Sequence, residues 1–471
     1  MSEDIKLKRK MTSRHIVMIA IGSTIGTGLF LTSGTTISMS GPGGALLGYL
    51  IIGLVIYFLI NNLGELSTFN PTSGSVISFA KKYINESIGF SVGWMYFYKW
   101  AGVIAIEIMS SGIIMRYWFP HIPLWIFALI FFLIIFILNL FGSKVFGEVE
   151  FWMSTIKVVT ITLFLIIGIF IITGVIGANP LDFSNFFYKD APFVGGLSSF
   201  LSSLVFVALC FGGSELIGIA AGESKNPSKS IPKAVRSVIL RILIFYIGTI
   251  IIIGIIIPYT SPYLLNTSNS VAISPFVLIF HHAALPYISS IMNFVILTAV
   301  ISSANAAFYG LSRVLFSLGE ENFAPKKLTK SNKKGIPYFS LIVSAIVGII
   351  CIIISTTGHY AYIILIQGAS ASYFLLWALI SLSHYRFRKG FIKQGYNEDK
   401  LPFKAKFYPY SSLIVVIACL FLLIYYLING ISTDFYSTLY SFIPIMIFVV
   451  LFICHKLYYK TKLIPLDEIE Y

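Results

Sequence analysis

Gly22-Ser23-Thr24-Ile25-Gly26-Thr27-Gly28 and Phe211-Gly212-Gly213-Ser214-Glu215 are glycine-rich interruptions inside long apolar stretches. Glycine costs about 1 kcal/mol against alanine in a helix interior, so each interruption invites the helix to unwind. Unwound backbone at membrane depth is tolerated only where protein buries it or where it lines a cavity. Interrupted apolar segments at matching places in two halves of a chain point to a transporter substrate site.

The composition around these breaks is that of a membrane protein. Of 471 residues, 57% are hydrophobic and 11% charged, and the mean hydropathy is +0.88. Soluble domains carry about 25% charged residues. Apolar runs of about 20 residues, each long enough to cross a bilayer, recur from end to end. Twelve spans are expected, at 15–35, 43–64, 88–115, 123–141, 151–176, 195–221, 234–257, 286–312, 337–355, 359–384, 411–428 and 437–458. The fold class is therefore an all-α polytopic membrane protein, with residues 1–471 forming a single integral domain. Lys6, Lys8, Arg9, Lys10 and Arg14 precede the first apolar run, which reads as a span rather than a cleaved leader.

The formal net charge of +14 does not imply a nucleic-acid partner, because the basic residues fall in alternate loops. With the N-terminus inside, the outer loops contain only Arg116 and Lys189. That asymmetry follows the positive-inside rule and places both termini in the cytoplasm, with the lipid bilayer as surroundings. Cys210, Cys351, Cys419 and Cys454 lie in apolar spans without metal spacing. No metal site, cofactor or enzymatic centre is expected. His281 and His282 are adjacent but lack ligating carboxylates, and no P-loop is present.

The two breaks fall in the first and sixth expected spans. They are five spans apart, an odd number, so the sixth enters from the opposite side. That predicts a five-plus-five inverted repeat, at about 15–176 and 195–384, with two further helices at about 411–458.

The run from His15 through Gly44, HIVMIAIGSTIGTGLFLTSGTTISMSGPGG, and that from Glu215 through Tyr246, ELIGIAAGESKNPSKSIPKAVRSVILRILIFY, carry a resemblance. The chain resembles the amino acid–polyamine–organocation superfamily, in its bacterial amino acid permease branch. The likeness covers nearly the whole chain. Within the branch it is closest to lysine-specific permeases, through SPFVLIFHH at Ser274 to His282 and HYRFRKGFIKQG at His384 to Gly395.

The resemblance implies that the substrate carboxylate meets Ser23, Thr24, Ile25, Gly26, Thr27 and Gly28, and the ammonium the region of Phe211, Gly212 and Ser214. Freed amides and the positive end of a half-helix suit a carboxylate, and freed carbonyls suit an ammonium. Glycines that only allow close helix packing are the plainer reading of each break alone. Glu215, a carboxylate at membrane depth, is a candidate for a cationic side chain, for gating or for proton handling. Tyr96, Trp100 and Glu107 are spaced to lie near one helical face, either as an aromatic core stripe or as a cavity wall with Glu107 as a gate. Glu223 reads as an inner gate or as a solvated loop carboxylate.

Lys157 is an ammonium within an apolar run. In sodium-coupled relatives of the resembled fold a cation sits between the first, fifth and eighth helices. Lys157 would place its charge there, bonded to carbonyls near Gly22 and to Ser302 or Ser303. A desolvated lysine releases its proton more readily, which suits proton coupling. Snorkelling to the interface is the alternative. Asn305 is expected to bridge helices or line the cavity. Lys99 departs from the resembled pattern: a second buried ammonium would repel a cationic substrate unless a carboxylate such as Glu65 or Glu107 neutralises it.

The expected function is proton-coupled import of a cationic amino acid, with lysine first, by alternating access in the bacterial plasma membrane. The alternatives are an exchanger or permease of the same fold for arginine, histidine or a neutral amino acid, and a transporter-like receptor that senses substrate.

Overall fold

The computed structural model describes residues 7–176, 180–265, 274–282, 286–332, 335–355 and 359–471. Helices are the regular elements among the described residues, without a strand among them; one isolated bridge joins Met11 to Ser224. Among the described residues, eight helices are long and apolar enough to cross a membrane, or nine with the bent pair Phe435–Ser441 and Ile443–Tyr459 taken as one. Three shorter apolar helices, Ser13–Gly22, Leu124–Asn139 and Tyr338–Ile354, stand beside them.

Two of the shorter helices, Leu124–Asn139 and Tyr338–Ile354, match expected spans, and the rest of the difference from the expected count has a local cause. The first break cuts off Ser13–Gly22, and the chain then runs as helix from Gly28 to Phe69. Within that run Gly41 takes φ +75, and Pro42 follows it. Proline lacks the N–H that would continue the ladder, and glycine tolerates the left-handed turn. A bend there divides one continuous helix into two directions.

Burial separates a central set of helices from a lipid-facing set. The most apolar window of Gly196–Ala221 is 94% buried, whereas that of Tyr410–Thr433 is 28% buried. Ile417, Phe421, Ile424 and Ile428 on the latter are exposed, as are Ile166, Ile169 and Phe170 on Ser143–Ile172. A contiguous apolar exterior of this extent belongs in hydrocarbon rather than in water. The broken helix thus lies at the centre, where its backbone groups find protein partners. Pro286–Glu320 packs along Glu86–Met115, and Ser33–Phe69 along Gly196–Phe211.

Glu65, far from either break, is fixed by Arg388 Nη1 at 2.8 Å and the Ala405 amide at 2.5 Å. It is therefore not the neutraliser of Lys99.

Candidate functional site

The first break spans Ser23 to Gly26, between the Ser13–Gly22 helix and a turn of wider π-helix at Gly28–Thr32. The second falls between Gly196–Phe211 and Leu216–Ala221. The two touch. Ser23 Oγ donates to the Gly213 carbonyl at 3.2 Å. Gly213 has φ +90, and a Cβ there would stand 2.8 Å from the Ser23 carbonyl oxygen. Gly28 lies equally close to the other break, where an added Cβ would meet Cys210 Cα at 2.6 Å. Gly213→Val is accordingly expected to abolish transport, since it imposes both a strained backbone and a clash at the contact between breaks. Substrate binding to purified protein, measured beside uptake, checks this; binding at wild-type strength would show that the contact is dispensable.

Buried carbonyls freed by unwinding must find donors. At the first break side chains supply them in sequence. Arg241 donates to Ala20, Thr24 Oγ1 to Ile21, Lys157 Nζ to Gly22 at 2.6 Å, Tyr246 to Thr24 at 3.3 Å, and Ser303 Oγ to Ile25 at 3.1 Å. At the second, Tyr246 also donates to Cys210 at 2.8 Å, and Ser214 Oγ turns back to Phe211 at 2.8 Å. Arg241 reaches Ser214 Oγ at 3.3 Å. Two residues of the Pro227–Ile256 run thus tie both breaks together. Neither Arg241 nor Tyr246 was among the expected site residues. Arg241 follows Lys233 and Arg236, so its charge reads as the flank of a loop, although the side chain is buried.

A cavity lies between the breaks. Ser23, Thr24, Gly28, Trp100, Glu107, Gly212, Gly213, Ser303 and Tyr373 are among its walls. Its volume of about 20 Å³ is close to that of one water site. An amino acid therefore enters only if the walls move. Of the expected contacts, Ile25, Gly26 and Thr27 are buried behind these walls, and Phe211 turns outward to stack on Tyr246 at 4.5 Å. Tyr96 sits behind Trp100, with ring centroids 5.7 Å apart.

Glu107 meets the first break directly. Its Oε2 accepts from Thr27 Oγ1 at 2.7 Å and from the Thr27 amide at 3.3 Å. It is thus occupied there and does not reach Lys99. Glu215 does: Lys99 Nζ donates to Glu215 Oε1 at 2.6 Å, and both side chains are buried. Sequence spacing could not join them, because they are 116 positions apart.

Lys157 is fully buried rather than snorkelling. Beyond Gly22 it approaches Ser303 Oγ at 3.4 Å. Of the two hydroxyls expected there, Ser303 is the one in reach, while Ser302 donates to Glu150 Oε1 at 2.7 Å. Adjacent residues on a helix point about 100° apart, so the neighbouring hydroxyls serve different partners. Glu150, unforeseen, is buried and lies with Glu107 within Coulombic reach of Lys157. Asn305 Oδ1 accepts from Asn139 at 2.9 Å, which makes it a bridge between helices.

Glu223 lies past the second break, buried at the far end of Leu216–Ala221. It accepts from Arg313 Nε and Tyr309 OH, each at 2.8 Å. Tyr309 stacks on Phe146, with centroids 4.1 Å apart. Glu223 is therefore not a solvated loop carboxylate; it joins the end of the broken helix to Pro286–Glu320.

An apolar helical exterior around two unwound, mutually bonded helix breaks defines a multi-pass membrane protein with a buried polar centre. The chain belongs to the amino acid permease family, whose model, described as amino acid permease, matches residues 15–466. That family lies within the superfamily anticipated above, and its members are transporters rather than enzymes. The chain is 43% identical to the histidine permease HisP of Lactococcus lactis, covering 100% of this chain and 99% of that one. It is 40% identical to the lysine-specific permease LysP of Escherichia coli, covering 99% and 96%. It is 39% identical to the gamma-aminobutyric acid permease of Bacillus subtilis, covering 88% and 86%. These relatives support amino acid transport across a membrane.

Proposed function

We propose that the protein is a proton-coupled importer that carries an amino acid inward by alternating access. The observation that carries this reading is the bond from the buried Lys157 ammonium to the Gly22 carbonyl, at the lip of the first break. An ammonium fixed in the protein takes the place of a bound metal cation, and its proton is the only part of it that can leave. Glu150 and Glu107 nearby supply compensating charge and further sites for a proton.

The amino acid sits between the breaks, its carboxylate toward Ser23 to Gly28 and its ammonium toward the carbonyls near Gly212 and Gly213. Twelve spans result when Ser13–Gly22 is joined across the first break to the part of the long helix before Gly41 and the other two shorter helices are counted; the first ten form the five-plus-five inverted repeat and the last two follow it. Both termini face the cytoplasm of a bacterial cell. The Glu223–Arg313–Tyr309 cluster closes the inner side, and its parting opens the cavity inward. Lysine as cargo rests on likeness to lysine-specific permeases, and relatives named for histidine and gamma-aminobutyric acid carry likeness of the same order.

Uptake into proteoliposomes under separately imposed proton and sodium gradients tests the coupling. A proton gradient is expected to drive accumulation and a sodium gradient to leave it unchanged. Accumulation that follows sodium would remove the role given to Lys157.

A further inference from the structure

We infer that Lys99 sets the specificity of this permease by occupying, from within the protein, the place of a cationic substrate side chain, so that amino acids with uncharged side chains are its cargo. The inference rests on the transport reading above and names its substrate class.

Glu215 is the carboxylate beside the second break, and its Oε1 is taken by the Lys99 ammonium at 2.6 Å. The same ammonium lies 3.3 Å from the Trp100 ring centroid, 4.3 Å from that of Tyr373 and 5.0 Å from that of Tyr96. A carboxylate ringed by aromatic faces is how a protein holds an alkylammonium. Here the alkylammonium belongs to the chain itself. Lys99 and Glu215 are not walls of the cavity, whereas Trp100 and Tyr373 are. The aromatic pair therefore presents to the cavity rings already engaged by a cation.

A lysine or arginine substrate would bring a second side-chain cation against one carboxylate, all of it out of water. Two like charges sharing one counter-ion in a desolvated site are strongly unfavourable. The carboxylate that does line the cavity, Glu107, is bonded to Thr27 at the first break. It stands at the end meant for the substrate carboxylate, within reach of Lys157. It is thus not placed for a distal ammonium. An uncharged side chain meets no such penalty, and the apolar walls Val103, Ile106 and Leu209 suit its carbon atoms.

Counterflow in proteoliposomes at equal pH on both sides tests this without a driving gradient. Labelled histidine, at a pH where imidazole is uncharged, and labelled glutamine, threonine and lysine are the probes. For the wild type, exchange of at least one uncharged amino acid is expected, unaffected by excess lysine or ornithine. Lys99→Gln is expected to lower the half-inhibitory concentration of lysine roughly tenfold or more. Lys99→Gln with Glu215→Gln removes both charges together, and is expected to lose that gain while still exchanging the uncharged substrate. The paired variant also guards against misfolding from an unpaired Glu215. Lysine counterflow by the wild type that uncharged amino acids fail to inhibit would overturn the inference and leave transport standing. No counterflow with any of the probes would overturn both.

Discussion

Lys157→Arg is expected to keep exchange of amino acid across the membrane and to lose accumulation against a gradient. Both side chains present N–H donors for the Gly22 carbonyl and a positive charge to Glu150 and Glu107. They differ in whether the charge can be given up. A desolvated lysine ammonium can release its proton, while a guanidinium stays charged. An arginine should therefore hold the helices as the protonated lysine does, without the deprotonated half of the cycle. Lys157→Ala is expected to lose driven uptake as well, with some exchange left. It is the harsher test, because removing one partner of a buried charge cluster costs about 3–5 kcal/mol. Size-exclusion behaviour and exchange rate, read beside driven uptake, separate loss of coupling from loss of fold. Unchanged concentrative uptake in either variant would contradict the role of Lys157.

The parts of this site legible in the sequence were those that break a local rule. Glycines in an apolar run at Gly22–Gly28 and Gly212–Gly213, and an ammonium at Lys157, are anomalies that a window of a few residues exposes. What remained hidden depends on partners far away in the chain. Arg241 looks like a loop flank until the structure brings it to Ala20, 221 positions away. Lys99 was visible as an anomaly, yet its neutraliser was misjudged, because Glu65 is held by Arg388 and Glu107 by Thr27. Glu150 sits one helical turn before Ser154 on the Lys157 helix, where a carboxylate near the end of a span reads as interfacial. Counting spans by helix length in the structure meets a different limit. Gly41 is non-helical and bends the chain before Pro42, so that length alone fuses two crossings that the bend separates.

Glu107→Gln is expected to make substrate binding insensitive to pH. In the structure the Glu107 carboxylate already holds the Thr27 amide and hydroxyl, the donors an incoming substrate carboxylate would approach. When ionised, this carboxyl is an anion seated at the N-terminal end of the half-helix that begins at Gly28. Bringing a second carboxylate beside it out of water forces one of the two to take a proton. The substrate carboxylate gains the freed amides of the break as an anion, so Glu107 is the one that becomes protonated. Binding then takes up one proton, and affinity tightens as pH falls, by up to about tenfold per unit. Glutamine keeps an acceptor for Thr27 without a charge to neutralise, which removes the linkage. Calorimetric affinities across a pH series, with proton uptake followed by an indicator dye in weakly buffered solution, distinguish the variants. Lys157→Arg should keep the slope and Glu107→Gln should flatten it. A Glu107→Gln protein with the wild-type slope would move the substrate-linked proton elsewhere, with Glu150 the next carboxylate in reach of Lys157.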